Sequence, residues 1–406
     1  MRILIATVTA GAGVAAVHCR PATRRTTSMS MNNHSAAPAR VAPARPAGQR
    51  VPAIVALLVS LSATAATPAL KPGEQVFFFP TIARPVTNGA WEVRIHGWAF
   101  EYERRPLGVP VLRKSLGLDD EMDGDADKAL FATRARWFLT DNERGKRVTV
   151  QLGERQVPMP VSQPNGHFST NVLLSVPELA RLRDSGALAN NVLHFRAVLG
   201  PKDTRDFAGT AVLVGASGIT VVSDIDDTIK VTEVRDRKAT LRNTFARPFR
   251  AVDGMAAAYE RWGREAGVAF HYVSASPWQL APGLTEFARS NSFPAGTWHL
   301  KAFRWNDESF FNLFQSPEAY KLGVLEPLVG QFPGRTFVFV GDSGEKDPEI
   351  YATLARKFPG QTARIFIRDV TGESADAPRY KDAFGGIPRG KWSVFTNAVE
   401  LPATLR

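Results

Sequence analysis

The stretch Val221-Val222-Ser223-Asp224-Ile225-Asp226-Asp227-Thr228-Ile229-Lys230 constrains this chain more than any other. An apolar run climbs through Gly218-Ile219-Thr220-Val221-Val222 and stops abruptly at three carboxylates. Short apolar runs bounded by polar residues read as strands buried on both faces, as in a parallel sheet. In such sheets ligands sit just past the carboxyl ends of the strands. Asp224 and Asp226 are therefore expected together at a strand tip. Two carboxylates that close repel each other, and a site that keeps both needs a cation or a shared proton. Oxygen ligands favour a hard divalent metal, Mg²⁺ by default.

From Gly218 onward strands alternate with helices. A helix is expected over Met255–Trp262, with Asp253 as its N-cap, and another over about Pro282–Arg289. A strand over Val268–Val273 leads to Ser274-Ala275-Ser276-Pro277, and a helix opens near Ala319-Tyr320-Lys321. The strand Arg335–Val340 ends at Gly341-Asp342-Ser343-Gly344-Glu345-Lys346-Asp347-Pro348, and a last strand covers Ala363–Ile367. This alternation implies right-handed crossovers and a parallel sheet covered on both faces.

Upstream, from Gln75 to about Gly215, the pattern is short and β-like. Val76–Phe79, Trp91–Trp98, Arg147–Leu152 and Val192–Leu199 are strand candidates, and Asn165-Gly166 reads as a hairpin turn. A small antiparallel sandwich or barrel is expected, with Leu173–Leu188 as a helical connector. Asp123, Asp125 and Asp127 resemble the start of a calcium loop, but Lys128 and Arg134 stand where that loop needs Gly and Glu, so the cluster reads as a solvated acidic loop. His96, His167 and His194 show no ligand spacing and read as structural.

The net charge of +11 is not spread evenly. Residues 1–66 hold seven of the 50 basic residues and no acid, so the remainder carries 43 basic against 39 acidic residues. No basic stripe for nucleic acid stands out there. Residues 20–50, rich in Ala, Pro, Arg and Ser, lack the apolar periodicity of a fold. The run Val51–Ala66 follows basic residues and ends in Ala63-Thr64-Ala65, which reads as a signal peptide near 45–66 and implies a periplasmic or secreted protein. An N-terminal membrane anchor is the alternative. The single cysteine, Cys19, lies in this leader, so the rest can form no disulfide. Three parts result: a leader over 1–66, a β-rich domain over 67–216 and an α/β domain over 217–406.

The motifs Asp224-Ile225-Asp226-Asp227-Thr228, Ser274, Lys321 and Gly341-Asp342 followed by Asp347, in this order, resemble the haloacid dehalogenase superfamily of phosphohydrolases. Within it, Ser223–Lys230, Tyr272–Trp278 and Gly341–Glu349 are similar to the phosphatidate phosphatase catalytic-domain family, over roughly residues 218–372. That family includes a yeast actin-patch-associated enzyme and bacterial relatives. The resemblance implies a Rossmann-like parallel sheet and a Mg²⁺-dependent phosphatase acting through an aspartyl-phosphate. It implies Asp224 as nucleophile, Asp226 as general acid and base, Ser274 on a phosphoryl oxygen and Lys321 as the positive charge beside them. Metal ligands would come from Asp224, the Asp226 main-chain carbonyl and Asp342, with Asp347 either a direct ligand or a carboxylate behind one. Thr228, Lys230 and Ser276 are candidate substrate contacts. Phosphatidate, giving diacylglycerol, is the implied substrate, and no obligate protein partner is inferred.

Competing readings stand beside this one. Ser274 also reads as a helix cap, and Lys301 competes with Lys321. The basic segment Lys230–Arg250 reads either as a flap for an anionic headgroup or membrane surface, or as a solvated loop. The aromatic stretch Trp298–Phe314 reads as an interfacial contact or as core. For function, a soluble phosphomonoester could replace the lipid, or the scaffold could be a non-catalytic lipid-binding module.

Overall fold

The computed structural model of the chain describes residues 70–102, 107–122, 124–302 and 317–406. The leader with Cys19, Asp123 of the acidic cluster, and Phe303, Trp305, Phe310, Phe311 and Phe314 of the aromatic stretch lie outside the described residues. No helix among the described residues is long and apolar enough to cross a membrane.

The C-terminal half is a six-stranded, all-parallel sheet. Its strands are β1 (Gly218–Asp224), β2 (Ala269–Pro277), β3 (Gly296–Lys301), β4 (Arg335–Asp342), β5 (Thr362–Arg368) and β6 (Trp392–Phe395). They stand in the order β3-β2-β1-β4-β5-β6, that of a doubly wound sheet whose direction of growth reverses between β1 and β4. The helices are α1 (Arg237–Phe245), α2 (Met255–Gly263), α3 (Ala281–Ser290), α4 (Pro317–Gln331), α5 (Asp347–Lys357) and α6 (Pro378–Phe384). Successive residues of β1 serve opposite faces, as the period of two requires. Val221 packs with Phe245, Trp262 and Leu284, and Val222 with Leu325, Ile350 and Tyr380. The two outermost strands, β3 and β6, went unread in the sequence. Asp253 is not the N-cap of α2; Gly254 takes that place in a left-handed conformation, with no side-chain cap.

One buried arginine ties down the amino ends of the strands. Arg335, at the start of β4, donates to Thr220 Oγ1 and to the carbonyls of Gly215, Ser217, Ile219 and Gly267. Gly218 makes room for this knot. Its φ is 119°, and a Cβ there would stand 2.3 Å from the Gly267 carbonyl oxygen.

The upstream part is a ten-stranded sheet, antiparallel except where Thr81–Pro85 pairs in parallel with Ala208–Leu213. Four of its strands overlap the four expected ones, with ends shifted by one or more residues: Glu74–Phe78, Trp91–Glu101, Thr149–Leu152 and Val192–Val198. The connector contains a helix over Val176–Asp184, closed by a Ser175/Glu178 capping box. Gly166 does turn the chain, at φ 74°, but only its outgoing arm, His167–Leu174, is a strand. Two helices in this region were not foreseen, Gly108–Leu116 and Asp125–Phe138. Asp125 and Asp127 lie in the first turn of the second helix, not in a loop, where acids suit the positive end of the helix dipole.

Both helices pack on the α/β half: Leu112, Phe131 and Phe138 share a core with Val221 and Phe245. Arg134 lies 3.7 Å over the Phe249 ring and donates to the carbonyls of Thr244 and Arg247 at the end of α1. Elsewhere the β-rich part meets Trp278 through Phe79, Trp98 and Phe100. His96 and His167, 2.8 Å apart, stack on Phe79 in this seam. Burial and the neighbouring His167 push the His96 pKa down to about 3, which fits a structural role.

Replacing Arg335 by Ala strands five acceptors at the sheet's base. The expected cost is about 3 kcal/mol, read as a lower urea midpoint for the cooperative loss of helix signal.

Candidate active site

The loop after β1 folds back tightly. Asp227 sits in the left-handed region at φ 55°, which Asp tolerates better than most residues. Its carboxylate accepts from the amides of Thr232, Glu233 and Val234 at 2.7–2.8 Å. It therefore shapes the loop. Arg368, at the end of β5, donates to the Asp227 carbonyl at 2.7 Å from outside.

With the loop fixed, two carboxylates take up different surroundings. Asp224 is buried at the tip of β1. Its Oδ1 accepts from Lys321 Nζ at 2.7 Å, while Oδ2 is buried with no partner. Burial, with Asp347, Glu345 and Asp342 nearby, pushes its pKa well above the usual value despite Lys321. Asp226 sits among donors. Oδ1 takes Thr232 Oγ1 and Lys230 Nζ, both at 2.8 Å. Oδ2 takes Ser274 Oγ at 2.8 Å and Ser276 Oγ at 2.9 Å. Burial alone would raise its pKa, but Lys230 and these hydrogen bonds outweigh it and hold the group ionised.

Lys321, from α4, is the hub. Its ammonium donates to Asp224 Oδ1, to Asp347 Oδ1 at 2.6 Å and to Glu345 Oε2 at 3.1 Å. Burial would lower its pKa, yet Asp224, Asp347 and Glu345 drive it well up. Lys301 ends the edge strand β3 and makes no part of this cluster.

Asp342 ends β4 beside β1. Its Oδ1 accepts from the Gly344 amide at 2.6 Å, and Oδ2 is buried without a partner. Burial, then Asp347 and Glu345, raise its pKa well above the usual value. Gly341 allows Asp347 to fold back and accept from the Asp342 amide at 3.2 Å, since a Cβ at Gly341 would lie 2.3 Å from Asp347 Oδ2.

The nine expected site residues thus gather at one end of the sheet, in roles partly different from those read in the sequence. Ser274, Ser276 and Lys230 are turned onto Asp226 rather than left open to a ligand. The Thr228 hydroxyl is buried and unpaired, so it keeps a free donor. Glu345 was not foreseen. Its carboxylate, with those of Asp224 and Asp347, places three oxygens within 4.8 Å of one another. A Glu between the two Asp of the Gly341-Asp342…Asp347 motif was visible in the sequence, but nothing there showed that it turns inward.

These donors fit a hard divalent cation. Four buried or nearly buried carboxylates face one ammonium, and Asp224 and Asp342 each leave an orphaned oxygen. Asp226, by contrast, has no side-chain oxygen to spare. A cavity of about 30 Å³ beside Asp226, lined by Thr232, Ser274, Ser276 and Glu345, has room for a water-sized group.

The basic segment Lys230–Arg250 divides. Lys230 belongs to the site, and α1 forms with Asp236 as its N-cap. Arg235, Arg242 and Arg250 line a cavity of about 690 Å³ with Arg368, but five carboxylates share that lining, so it holds no excess of positive charge.

Residues 219–369 match the family model described as "Phosphatidate phosphatase APP1, catalytic domain". This matched segment contains Asp224, Asp226, Ser274, Lys321, Asp342 and Asp347. The chain is similar to the phosphatidate phosphatase APP1 of Saccharomyces cerevisiae, 37% identical over 173 residues, covering 42% of this chain and 29% of the relative. It is also similar to an uncharacterized protein of Schizosaccharomyces pombe, 30% identical over 196 residues, covering 45% of this chain and 31% of the relative. The match thus spans about three tenths of the length of these relatives.

The raised carboxyls set a stability signature. A carboxyl whose folded pKa lies above its unfolded value of 3.8 costs nothing below that pH, and the cost grows as pH rises to the folded pKa. In chelator at pH 7.5, Asp342→Asn should therefore raise the melting temperature by a few degrees, roughly 1 kcal/mol in a domain this size. Added Mg²⁺ should raise the melting temperature of the unsubstituted protein but not of the variant.

Proposed function

We propose that the α/β half is a haloacid-dehalogenase-type phosphatase that hydrolyses a phosphomonoester through an aspartyl-phosphate on Asp224, with Mg²⁺ as cofactor and phosphatidate as substrate. The observation that carries this reading is the pairing at the tip of β1. Asp224 is held by Lys321 through one oxygen and leaves the other unpaired, and Asp226, two residues on, stands in a cradle of its own. A lone phosphate-binding loop would need neither.

Phosphomonoesters hydrolyse very slowly unaided, so the site must supply much of the barrier. The free oxygen of Asp224 attacks phosphorus, and the bond from phosphorus to the alcohol oxygen breaks. The leaving alkoxide takes a proton from the Asp226 carboxyl. Because the cradle keeps Asp226 ionised at rest, that proton arrives with the substrate, whose phosphate has its second pKa near 6. Water then attacks the aspartyl-phosphate and gives its proton to the Asp226 carboxylate; that proton leaves with the inorganic phosphate, so that Asp224 and Asp226 are both restored as carboxylates. Lys321 keeps positive charge against the phosphoryl group, and Thr228 has a hydroxyl to offer it. Asp224 and Asp342, with Asp347 and Glu345 beside them, would hold the cation, which offsets charge on the phosphoryl oxygens.

The lipid assignment is supported by the match to a phosphatidate phosphatase catalytic domain. Fold likeness alone does not fix a substrate, so the test offers two. Phosphate release would be followed from phosphatidate in mixed micelles and from a soluble phosphomonoester, with Mg²⁺ or with chelator. The expected result is Mg²⁺-dependent turnover of the lipid, lowered about 10³-fold or more by Asp224→Asn. Turnover of the soluble ester alone would sink the lipid assignment, and no turnover of either would sink the hydrolytic one.

A further inference from the structure

The loop from Asp342 to Asp347 is closed on itself by Asp342, whose Oδ1 accepts from the Gly344 amide and whose amide donates to Asp347 Oδ2, and Ser343 is tied to the segment after β5. A Cβ on Gly344 at its centre would stand 2.9 Å from Asp342 Oδ1 and as close to Val234, so a side chain there would have to push one of them aside. The middle of the loop is gripped in addition by a residue from α6, ten positions beyond the segment that matches the family model. Arg379 Nη1 donates to the Ser343 carbonyl and Nη2 to the Glu345 carbonyl. The same guanidinium meets Glu349 side-on, through Nε to Oε1 at 3.0 Å and Nη2 to Oε2 at 3.1 Å. Glu349 lies in the first turn of α5, the helix that Asp347 begins.

One planar fork therefore fixes the loop at both sides of Gly344 and anchors it to the helix bearing Asp347. We infer that Arg379 is a positioning residue for the site: it sets the Asp342–Asp347 loop and thereby aims Glu345 and Asp347 at Lys321 and keeps Asp342 beside Asp224. It touches no reacting group itself. Only a guanidinium can do this, since a lysine ammonium offers no planar fork to span two carbonyls and a carboxylate. Groups that orient metal-binding carboxylates from behind typically matter 10–100-fold in metal affinity or activity.

The activity arm of the test rests on the phosphatase reading; the binding arm does not. In the full chain, Arg379→Gln and Arg379→Lys would be compared with the unsubstituted protein. Three quantities would be read: kcat and KM for a soluble phosphomonoester, Mn²⁺ affinity by paramagnetic resonance without substrate, and thermal melting. The expected result is a 10–100-fold fall in kcat, KM within about threefold, weaker Mn²⁺ binding in the same range, and no rescue by Lys. Values of kcat and Mn²⁺ affinity both within about twofold of the parent, or full rescue by Lys, would overturn the inference. Should the Arg379 variants not fold, Glu349→Gln removes only the anchor on α5. A severalfold loss of kcat or Mn²⁺ affinity is expected, and unchanged values would overturn the inference. A parent that binds Mn²⁺ but hydrolyses no phosphomonoester would defeat the phosphatase reading and leave Arg379 to be decided by the Mn²⁺ arm.

Discussion

Everything at the carboxyl end of the sheet depends on one excess of negative charge. Asp224, Glu345 and Asp347 converge on the Lys321 ammonium, and Asp342 stands beside them. One buried cation cannot neutralise four carboxylates, and burial makes each unbalanced charge expensive. Burial first, and the neighbouring acids after it, push the pKa values of Asp224 and Asp342 up. A fold that keeps such a cluster does so for what it binds, and on the proposed reading a divalent cation would supply the missing positive charge. The surrounding architecture holds the cluster in place. Arg335 knots the far ends of the strands, Arg368 grips the Asp227 loop, and Arg379 grips the Asp342 loop.

Two aspartates of one tripeptide are pushed in opposite directions. Asp224 has one cation and three nearby acids, and its pKa rises; Asp226 has Lys230 and three hydroxyls, and its pKa falls. Pairs of titratable groups driven apart by their surroundings divide chemical roles between them. In the proposed reaction the unpaired oxygen of Asp224 would attack phosphorus, and the cradled carboxylate of Asp226 would take the proton from water.

The sequence showed the parts of the site that a strand end displays locally. The apolar climb into Asp224, the strand before Ser274 and the strand before Asp342 announce themselves through hydrophobicity followed by polar residues. Glu345, Arg368 and Arg379 were silent because their roles lie in contacts with residues remote in sequence: Arg379 meets a carbonyl 36 positions away, and Arg368 one 141 positions away. The contacts of Ser274 and Ser276 with Asp226 were silent for the same reason, since that partner lies 48 and 50 positions back. Strands β3 and β6 escaped notice as edges. A strand flanked on one side only has a weaker apolar signature, as the half-buried Leu300 and Val394 show. The helices Gly108–Leu116 and Asp125–Phe138 sit in a stretch of β-like character, and the acids of the second suggested a loop. They are helical because they have the α/β core to pack on.

If Asp224 carries the phosphoryl group during turnover, the group can be trapped there. The most direct measurement mixes the full chain and Mg²⁺ with a substrate labelled in its phosphate, quenches in acid within milliseconds, and maps the label by peptide mass spectrometry. The account expects up to one phosphate per chain on the peptide holding Asp224, stable in acid, released by hydroxylamine and absent from Asp224→Asn. Turnover with no label on that peptide at any quench time, or label found on another side chain, would contradict it.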